Sequence, residues 1–162
     1  MELDIKFMQE AIAEAQKAIQ MDEVPIGAVL VHEGKIISRA HNTREKKQIS
    51  THHAEILCIE DACQKLNTWR LENCVLYVTL EPCPMCAGAI MQSRISRVVY
   101  GATDPKGGSY GGCFDLNLIK GLNHYPIIKA DVLKEECAIM LSNFFRKKRL
   151  QKQKFNLDIH FD

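Results

Sequence analysis

Apolar residues return at helical spacing in four segments of the chain. Near the N-terminus they recur every three or four residues and predict an amphipathic helix that ends before Pro25; its apolar positions are Ile5, Met8, Ile12, Ala15 and Ile19. A second helix is expected from about Ala54 and a short third one from Pro84, since proline suits a first helical turn. The apolar faces predicted for the second and last helices are Ile56, Ile59, Cys63 and Leu66, and Leu133, Cys137, Leu141 and Phe144.

Five other segments are short and apolar, and the third is rich in β-branched and aromatic residues, which favours strands. They cover residues 26–32, 35–40, 74–80, 97–102 and 127–131. Glu33 and Gly34 predict a tight hairpin between the first two strands, and residues 42–51 a polar loop. Helices that alternate with strands after a hairpin predict an α/β fold with three layers, α/β/α, around a central five-stranded mixed sheet.

The connection between the last two strands is long and contains a helix-like stretch at residues 115–122. It exceeds the dozen or so residues that a parallel crossover needs, so we expect the last two strands to be parallel. The sequence has no internal repeat and no linker. We therefore predict one domain over residues 1–154, followed by a C-terminal tail at 155–162.

Composition narrows the class of protein. The 162 residues are 46% hydrophobic, and 21 basic residues face 20 acidic ones, so any binding of nucleic acid must depend on a local patch. The N-terminal residues do not have the basic and apolar regions of a signal peptide, and no apolar run approaches the ~18 residues of a membrane span. Seven cysteines are an odd number, which favours reduced thiols and metal ligation in the cytoplasm over a disulfide framework.

The candidate chemistry lies in two short motifs, His53-Ala54-Glu55 and Pro82-Cys83-Pro84-Met85-Cys86. One histidine and two cysteines are three zinc ligands, and three protein ligands leave the open position of a catalytic zinc site. We expect both motifs where a strand gives way to a helix, because a helix N-terminus stabilises the thiolates that bind zinc.

Zinc lowers the pKa of a bound water to about 7, and Glu55 is near enough to move protons without binding the metal. The motifs therefore predict attack by a zinc-activated hydroxide on a ring carbon that bears an amino group, with loss of ammonia. The alternative is a structural zinc site with a fourth protein ligand. Its nominal candidates are Cys58, Cys63, Cys74, Cys113, His52 and His124.

The two motifs resemble the signature of the cytidine/deoxycytidylate deaminase superfamily, and the resemblance to the bacterial tRNA adenosine deaminases extends over nearly the whole chain. It includes residues 23–28, 39–42, 68–72, 76–82, 97–101, 104–108, 123–124 and 144–145. The resemblance implies a cytidine-deaminase-like fold, a homodimer, and conversion of adenosine to inosine at the wobble position of a tRNA anticodon.

Site residues follow from the same resemblance, position by position. It implies that His53, Cys83 and Cys86 bind one Zn²⁺ per subunit and that Glu55 is the proton shuttle. It implies that Asn42 contacts the flipped nucleotide and that the pocket wall is formed by Ile26, Ala54 and Pro82. Without the resemblance, Asn42 is equally well explained as a loop residue that caps its own turn.

Two positions depart from the family pattern. His52 stands where a small residue is usual, and we expect it to point away from the metal because adjacent side chains diverge. The segment 107–112 reads GGSYGG and predicts a flexible loop, in which Tyr110 is either a stacking surface for an RNA base or simply an exposed tyrosine.

Binding of the tRNA anticodon stem-loop is predicted from the long crossover and from a basic segment near the C-terminus. The residues expected to contact RNA are Lys106, Phe145, Arg146, Lys147 and Arg149. A solvated helix end, whose cations suit the helix dipole, is the other explanation of the basic segment. Two other functions remain open: deamination of a free base such as guanine or cytosine, and a non-catalytic RNA-binding module that uses zinc for folding.

Overall fold

A five-stranded sheet with helices on both faces forms the protein in the computed structural model, which describes residues 1–159. The strands lie in the order β2-β1-β3-β4-β5. Their bounds are β1 Gly27–His32, β2 Lys35–His41, β3 Cys74–Leu80, β4 Arg97–Ala102 and β5 Ile127–Lys129. β1 is antiparallel to β2 and β3, whereas β3, β4 and β5 are parallel. The predicted mixed sheet and the predicted parallel crossover are both confirmed.

Five α-helices accompany the sheet in the described part of the chain. They are α1 Glu2–Gln20, α2 Arg44–Lys47, α3 Ala54–Leu66, α4 Pro84–Gln92 and α5 Lys134–Ile159. Leu30, Leu76 and Val98 point from the sheet toward α3 and α4 in one apolar cluster. The alternate positions, such as Val29 and Val99, pack with α1 and α5 in a second cluster. This alternation along each strand produces the predicted three layers.

α1 lies directly on β1 because Gly27 has no side chain. A Cβ atom at this position would be 2.1 Å from the carbonyl oxygen of Ala11. The inward positions of α1 include Met8, Ile12 and Ala15, as predicted, whereas Ile5 and Ile19 are partly exposed. None of the described helices has the length and apolar character needed to cross a membrane.

Several local expectations were wrong. The loop at 42–51 contains α2, so His53 follows a loop and not a strand. The buried face of α3 is Ala54, Glu55, Cys58, Ile59 and Ala62. Of the predicted face, Ile59 is buried and Cys63 and Leu66 pack against the same cluster while partly exposed. This shift turns Glu55 into the protein interior.

The stretch 115–122 does not form the predicted helix, and its only helical turn is a 3-10 helix at Leu116–Leu118. The carboxylate of Asp115 accepts a hydrogen bond from the backbone N–H of Asn117 at 2.9 Å. The side chain of Asn117 in turn donates to the carbonyl of Pro126 at 2.9 Å. Such bonds between side chains and backbone compete with helical hydrogen bonds.

α5 passes through Lys154, the predicted end of the domain, and continues to Ile159. The first part of the predicted tail at 155–162 is therefore helical. Residues 160–162 of that tail lie outside the described residues.

Candidate active site

Three potential metal ligands meet where two helices begin. His53 immediately precedes α3, Cys83 immediately precedes α4, and Cys86 lies in the first turn of α4. The Nδ1 atom of His53 is 3.6 Å from the sulfur of Cys83 and 3.6 Å from that of Cys86. All three donor atoms lie within 4.8 Å of one another. The two motifs, thirty residues apart in the sequence, thus form one possible metal-binding group.

The spacing of these donors fits zinc. Bonds of about 2.3 Å to sulfur and 2.0–2.1 Å to nitrogen, at a tetrahedral angle, separate the two donors by about 3.6 Å. The observed distances between nitrogen and sulfur agree with this value. Within residues 1–159 this is the only group of three such side chains with a common centre. It offers three ligands, so a tetrahedral metal would keep one position for water.

The two cysteines and His53 shift one another's pKa values. Hydrogen bonds with Cys86 and His53 lower the pKa of Cys83 to about 4. The neighbouring Cys83 and burial raise the pKa of Cys86, and the same Cys83 raises the pKa of His53. These opposite shifts favour one thiolate and one thiol in the metal-free site. A dication requires both thiolates and an unprotonated imidazole, so its binding releases protons.

Glu55 lies in the first turn of α3 and is only 4% exposed. Burial raises the pKa of its carboxyl group to about 7, a range in which a carboxyl can both accept and donate protons near neutrality. Its Oε2 atom is buried without a hydrogen-bond partner in the described chain. Because an unpaired buried oxygen is costly, this atom is available to a water or a ligand.

Asn42 joins the loop after β2 to the start of α3. Its Oδ1 atom accepts a hydrogen bond from the backbone N–H of Ala54 at 2.9 Å, so it does not cap its own turn. This bond fixes the orientation of the amide, because only Oδ1 can accept from a backbone N–H. The Nδ2 group is then left as a donor for a ligand in the adjoining cleft.

A cleft of about 610 Å³ opens above the three possible ligands. Most of the predicted site residues line it: Ile26, Asn42, His53, Glu55, Cys83, Lys106, Phe145 and Arg149. Ala54, Pro82 and Cys86 are buried beside it and do not belong to its lining. Ala54 contributes its backbone N–H to Asn42, and both Ala54 and Pro82 are neighbours in sequence of a possible ligand.

The basic segment of α5 does not form one patch. Phe145 and Arg149, four residues apart, face the cleft. Lys147 and Lys148 line a separate groove between α1 and α5. Arg146 donates to the side chain of Asn143 at 3.0 Å on the exposed helix surface. Consecutive residues of a helix point about 100° apart, so the four cations could not all face one ligand.

Some cleft residues were not predicted from the sequence. They are Val24, Arg44, Leu80, Glu81, Thr103, Asp104 and Leu141. Arg44 begins α2, whose first turn is held by the buried carboxylate of Glu23 through the backbone N–H groups of Glu45 and Lys46 at 3.2 and 2.5 Å. Its only signal in the sequence is a basic residue in a polar loop.

Tyr110 in the glycine-rich loop has neither of the two roles predicted for it. Tyr110 is 6% exposed and packs in the apolar cluster on the α3 and α4 side. It is therefore neither an exposed tyrosine nor a surface on which a base could stack. Backbone N–H groups of the loop are bound to the carboxylate of Glu81, which restrains the segment that was predicted to be flexible.

Candidates for a fourth protein ligand lie elsewhere. The Nδ1 atom of His52 is 3.5 Å from the hydroxyl of Thr43, and the Nε2 atom of His124 is 2.6 Å from the carbonyl of Ile95. Cys58 and Cys74 are buried in the core, Cys63 is half-buried, and Cys113 is exposed. Neither these cysteines nor the two histidines join the group around His53 in the part of the chain that the structure describes.

The proteins that the chain resembles are deaminases, in agreement with the chemistry of the site. Residues 3–149 match the family model of the MafB19-like deaminases. The chain is 56% identical to the tRNA-specific adenosine deaminase of Bacillus subtilis over 150 residues, which cover 93% of each chain. It is 45% identical to the tRNA-specific adenosine deaminase of Aquifex aeolicus, with 88% of this chain and 94% of that protein covered.

A solved structure from a study of A-to-I editing by tRNA:A34 deaminases at the wobble position of transfer RNA superimposes with a TM-score of 0.79. It is 43% identical in sequence and covers 84% of this chain and 99% of its own.

Proposed function

The chain belongs to the MafB19-like deaminases and, within them, to the family of the tRNA-specific adenosine deaminases, and we propose that it converts adenosine to inosine at the wobble position of a tRNA anticodon. The observation that carries this proposal is the unpaired Glu55 oxygen beside three possible zinc ligands, at the base of a cleft lined by cationic side chains. The proposed substrate is cytoplasmic, and we assign the enzyme to that compartment.

The charges around the cleft support an RNA substrate. Arg44, Lys106 and Arg149 line it from three different elements, and cations so arranged suit the phosphates on either side of a bound nucleotide. Phe145 is 44% exposed on the same rim and offers a ring for a neighbouring base. A nucleotide of the anticodon loop is already partly unpaired, so turning it into the cleft costs less than extracting it from a duplex.

In this proposal His53, Cys83 and Cys86 hold one zinc ion. The bound ion would act as a Lewis acid that lowers the pKa of a water molecule to about 7. Both thiolates balance the two positive charges of the ion, and His53 binds as neutral imidazole.

Glu55 then moves the protons of the reaction. Its carboxylate accepts a proton from the attacking water and delivers it to a ring nitrogen of adenine, which allows the ring carbon to take up the oxygen. The carboxylate then takes the proton of the new hydroxyl group on that carbon and donates it to the amino group, which leaves as ammonia while the carbonyl of inosine forms. One water is consumed and one ammonia is released for each inosine formed.

Asn42 and Ile26 hold the nucleotide in place. The free Nδ2 group of Asn42 donates to an acceptor on the flipped nucleotide, while the bond from Ala54 keeps the amide from rotating. Ile26 supplies an apolar wall at the edge of β1. Ala54 belongs to the buried cluster against which Ile26 packs, and Pro82 is buried next to Cys83.

We also propose that two copies of the chain pair through α4. The sequence of this helix, PMCAGAIMQ, contains no charged residue. Met85, Gly88 and Met91 are only half-buried, and a Cβ atom at Gly88 would meet no atom within 4 Å. Gly88→Arg should therefore leave the monomer folded and break the dimer. Analytical ultracentrifugation tests this, and an unchanged sedimentation coefficient would contradict pairing through α4.

The proposed activity is tested by incubation of the purified protein with an RNA anticodon stem-loop and, separately, with free adenine, guanine and cytosine. We expect inosine in the RNA and no ammonia from the free bases. Ammonia from a free base alone would overturn the proposal in favour of nucleobase deamination.

A further inference from the structure

Glu81 is a buried carboxylate that the proposed chemistry does not use. It follows β3 directly, lies two residues before Cys83 and is 2% exposed. Its Oε2 atom accepts hydrogen bonds from the backbone N–H groups of Tyr110 at 2.8 Å and Gly112 at 2.9 Å. Its Oε1 atom accepts from the N–H of Asp104 at 3.1 Å. One carboxylate therefore holds both ends of the loop 104–112.

The loop is shaped to fit this side chain. A Cβ atom at Gly108 would lie 2.3 Å from the carboxyl carbon of Glu81, and one at Gly112 would lie 2.4 Å from its Oε1 atom. These distances are too short for any other residue. The backbone of the loop thus wraps the carboxylate closely. The N–H of Ser109 also donates to the carbonyl of Pro82 at 3.0 Å, which ties the loop to the segment that carries Cys83.

The hydrogen bonds of Glu81 also restrain a cationic residue at the cleft, Lys106. The N–H of Asp104 is held by Glu81, and the side chain of Asp104 accepts from the backbone N–H groups of Lys106 and Gly107 at 3.0 and 3.2 Å. The Lys106 backbone is therefore fixed through Asp104 to Glu81. Lys106 itself is exposed and lines the cleft, where its ammonium group is free to meet an anion.

We propose that Glu81 is a positioning residue for substrate binding, which fixes the loop 104–112 and so holds Lys106 where a phosphate of the bound RNA lies. The inference rests on the proposed function, since it concerns the RNA in the same cleft. Glu81 acts on KM through Lys106. It takes no part in proton transfer, because its oxygens are occupied by backbone donors.

Glu81→Gln tests the role with little change of shape. An amide has one acceptor oxygen and one donor group, so at least one loop N–H loses its acceptor and faces another donor. We expect KM for an anticodon stem-loop to rise roughly 10-fold, the effect of losing one hydrogen bond to a charged group, while kcat and zinc content change little. Amide hydrogen exchange at 104–112 should accelerate, and exchange in β1 and β3 should not.

Glu14→Gln is the matched control. Glu14 is also buried, at 3% exposure, but it pairs with the side chains of Lys17 and Arg39 and holds no loop at the cleft. This variant should lose stability without a change in KM. If Glu81→Gln yields too little folded protein, Asp104→Asn weakens the next link to Lys106, because the Asp104 carboxylate accepts from the backbone N–H groups of Lys106 and Gly107, and it should also raise KM.

A double variant separates positioning from a merely structural role. If Glu81 acts through Lys106, adding Glu81→Gln to Lys106→Gln should raise KM little further. Fully additive effects, or a Glu81→Gln enzyme with the KM of the Glu14→Gln control, would overturn the inference while the wild-type activity stands. A wild-type enzyme that forms no inosine would overturn the proposed function itself, and the inference with it.

Discussion

The side-chain oxygen of Asn42 accepts a hydrogen bond from the backbone N–H of Ala54 at 2.9 Å, between the possible ligand His53 and the carboxylate of Glu55. This one contact links a loop residue of the cleft to the helix start that carries His53 and Glu55. It satisfies one of the N–H groups that a helix leaves free at its N-terminus. The remaining amide nitrogen faces the cleft as a donor.

Asn42→Asp should therefore separate binding from stability. Aspartate keeps the oxygen that accepts from Ala54, but it replaces the amide donor by a second acceptor with a negative charge. We expect thermal stability close to that of the wild type and a fall in kcat/KM of about 10-fold or more. Asn42→Ala removes both groups and should also lower the free energy of unfolding by about 1–3 kcal/mol. Equal stability losses in the two variants would contradict this division.

Zinc binding to the metal-free protein tests the protonation of the cysteines and of His53. The metal-free protein should take up one zinc ion per chain and release protons, because the raised pKa values of Cys86 and His53 favour their protonated forms before the ion binds. Calorimetry in buffers of different ionisation enthalpy measures that release. Cys83→Ser and Cys86→Ser should weaken zinc binding severely, whereas Cys63→Ser, outside the site, should not. Zinc uptake without proton release would contradict the account of the charges.

The two arginines of α5 should differ in their effect on RNA binding. Arg149 lines the cleft, whereas Arg146 is bound to Asn143 on the exposed side of the helix. Arg149→Gln should weaken binding of a stem-loop and reduce the slope of log K against log salt by roughly 0.7–0.9, the value of one phosphate contact. Arg146→Gln is the control of equal charge and should leave the slope nearly unchanged. Identical slopes for both variants would show that the helix attracts RNA only by its total charge.

Stability at low pH should depend on the partly buried ion pair between Asp4 and Arg97. Asp4 accepts two hydrogen bonds from Arg97, each of 2.8 Å, and one from the hydroxyl of Tyr77 at 2.8 Å. Arg97 holds the pKa of Asp4 below its usual value. The ionised Asp4 therefore stabilises the fold fully above its unfolded pKa of about 3.9, and this stabilisation is lost progressively as the pH falls below that value and through the lower pKa of the folded state.

Asp4→Asn should cost about 1–3 kcal/mol near pH 7, and the difference from the wild type should shrink below pH ~4. Urea unfolding at a series of pH values measures it. Glu2→Gln, an exposed acid in the same helical turn, is the control and should change little. A difference that stays constant down to pH ~2 would contradict an effect of the ionised carboxylate.

Features that depend on the local hydrophobic pattern and on residue spacing along the chain were predicted correctly from the sequence. The strands were found because each contains a short apolar run, and the metal-binding group because His53, Cys83 and Cys86 combine ligand chemistry with fixed spacing. The predicted helix at 115–122 was wrong because Asp115 and Asn117 bind backbone groups in place of helical partners. That competition depends on a tertiary neighbour, the carbonyl of Pro126.

Residues whose roles depend on tertiary contacts were not predicted from the sequence. Tyr110 looked like a loop residue, but it is buried because the surrounding loop wraps Glu81. Arg44 reaches the cleft only because Glu23, far away in sequence, holds the turn that carries it. The direction of each cationic side chain on α5 also depends on how the helix packs against the sheet. A run of basic residues in the sequence does not determine this packing.

The most direct test of the account is inosine formation at the wobble position by the wild type and by Glu55→Ala. Purified tRNA is incubated with each protein, and the anticodon loop is then sequenced, with zinc content measured on the same samples. We predict that the wild type converts the wobble adenosine alone, and that Glu55→Ala binds zinc equally well and converts none. Equal conversion by Glu55→Ala, or conversion of adenosines throughout the tRNA, would contradict the central claim.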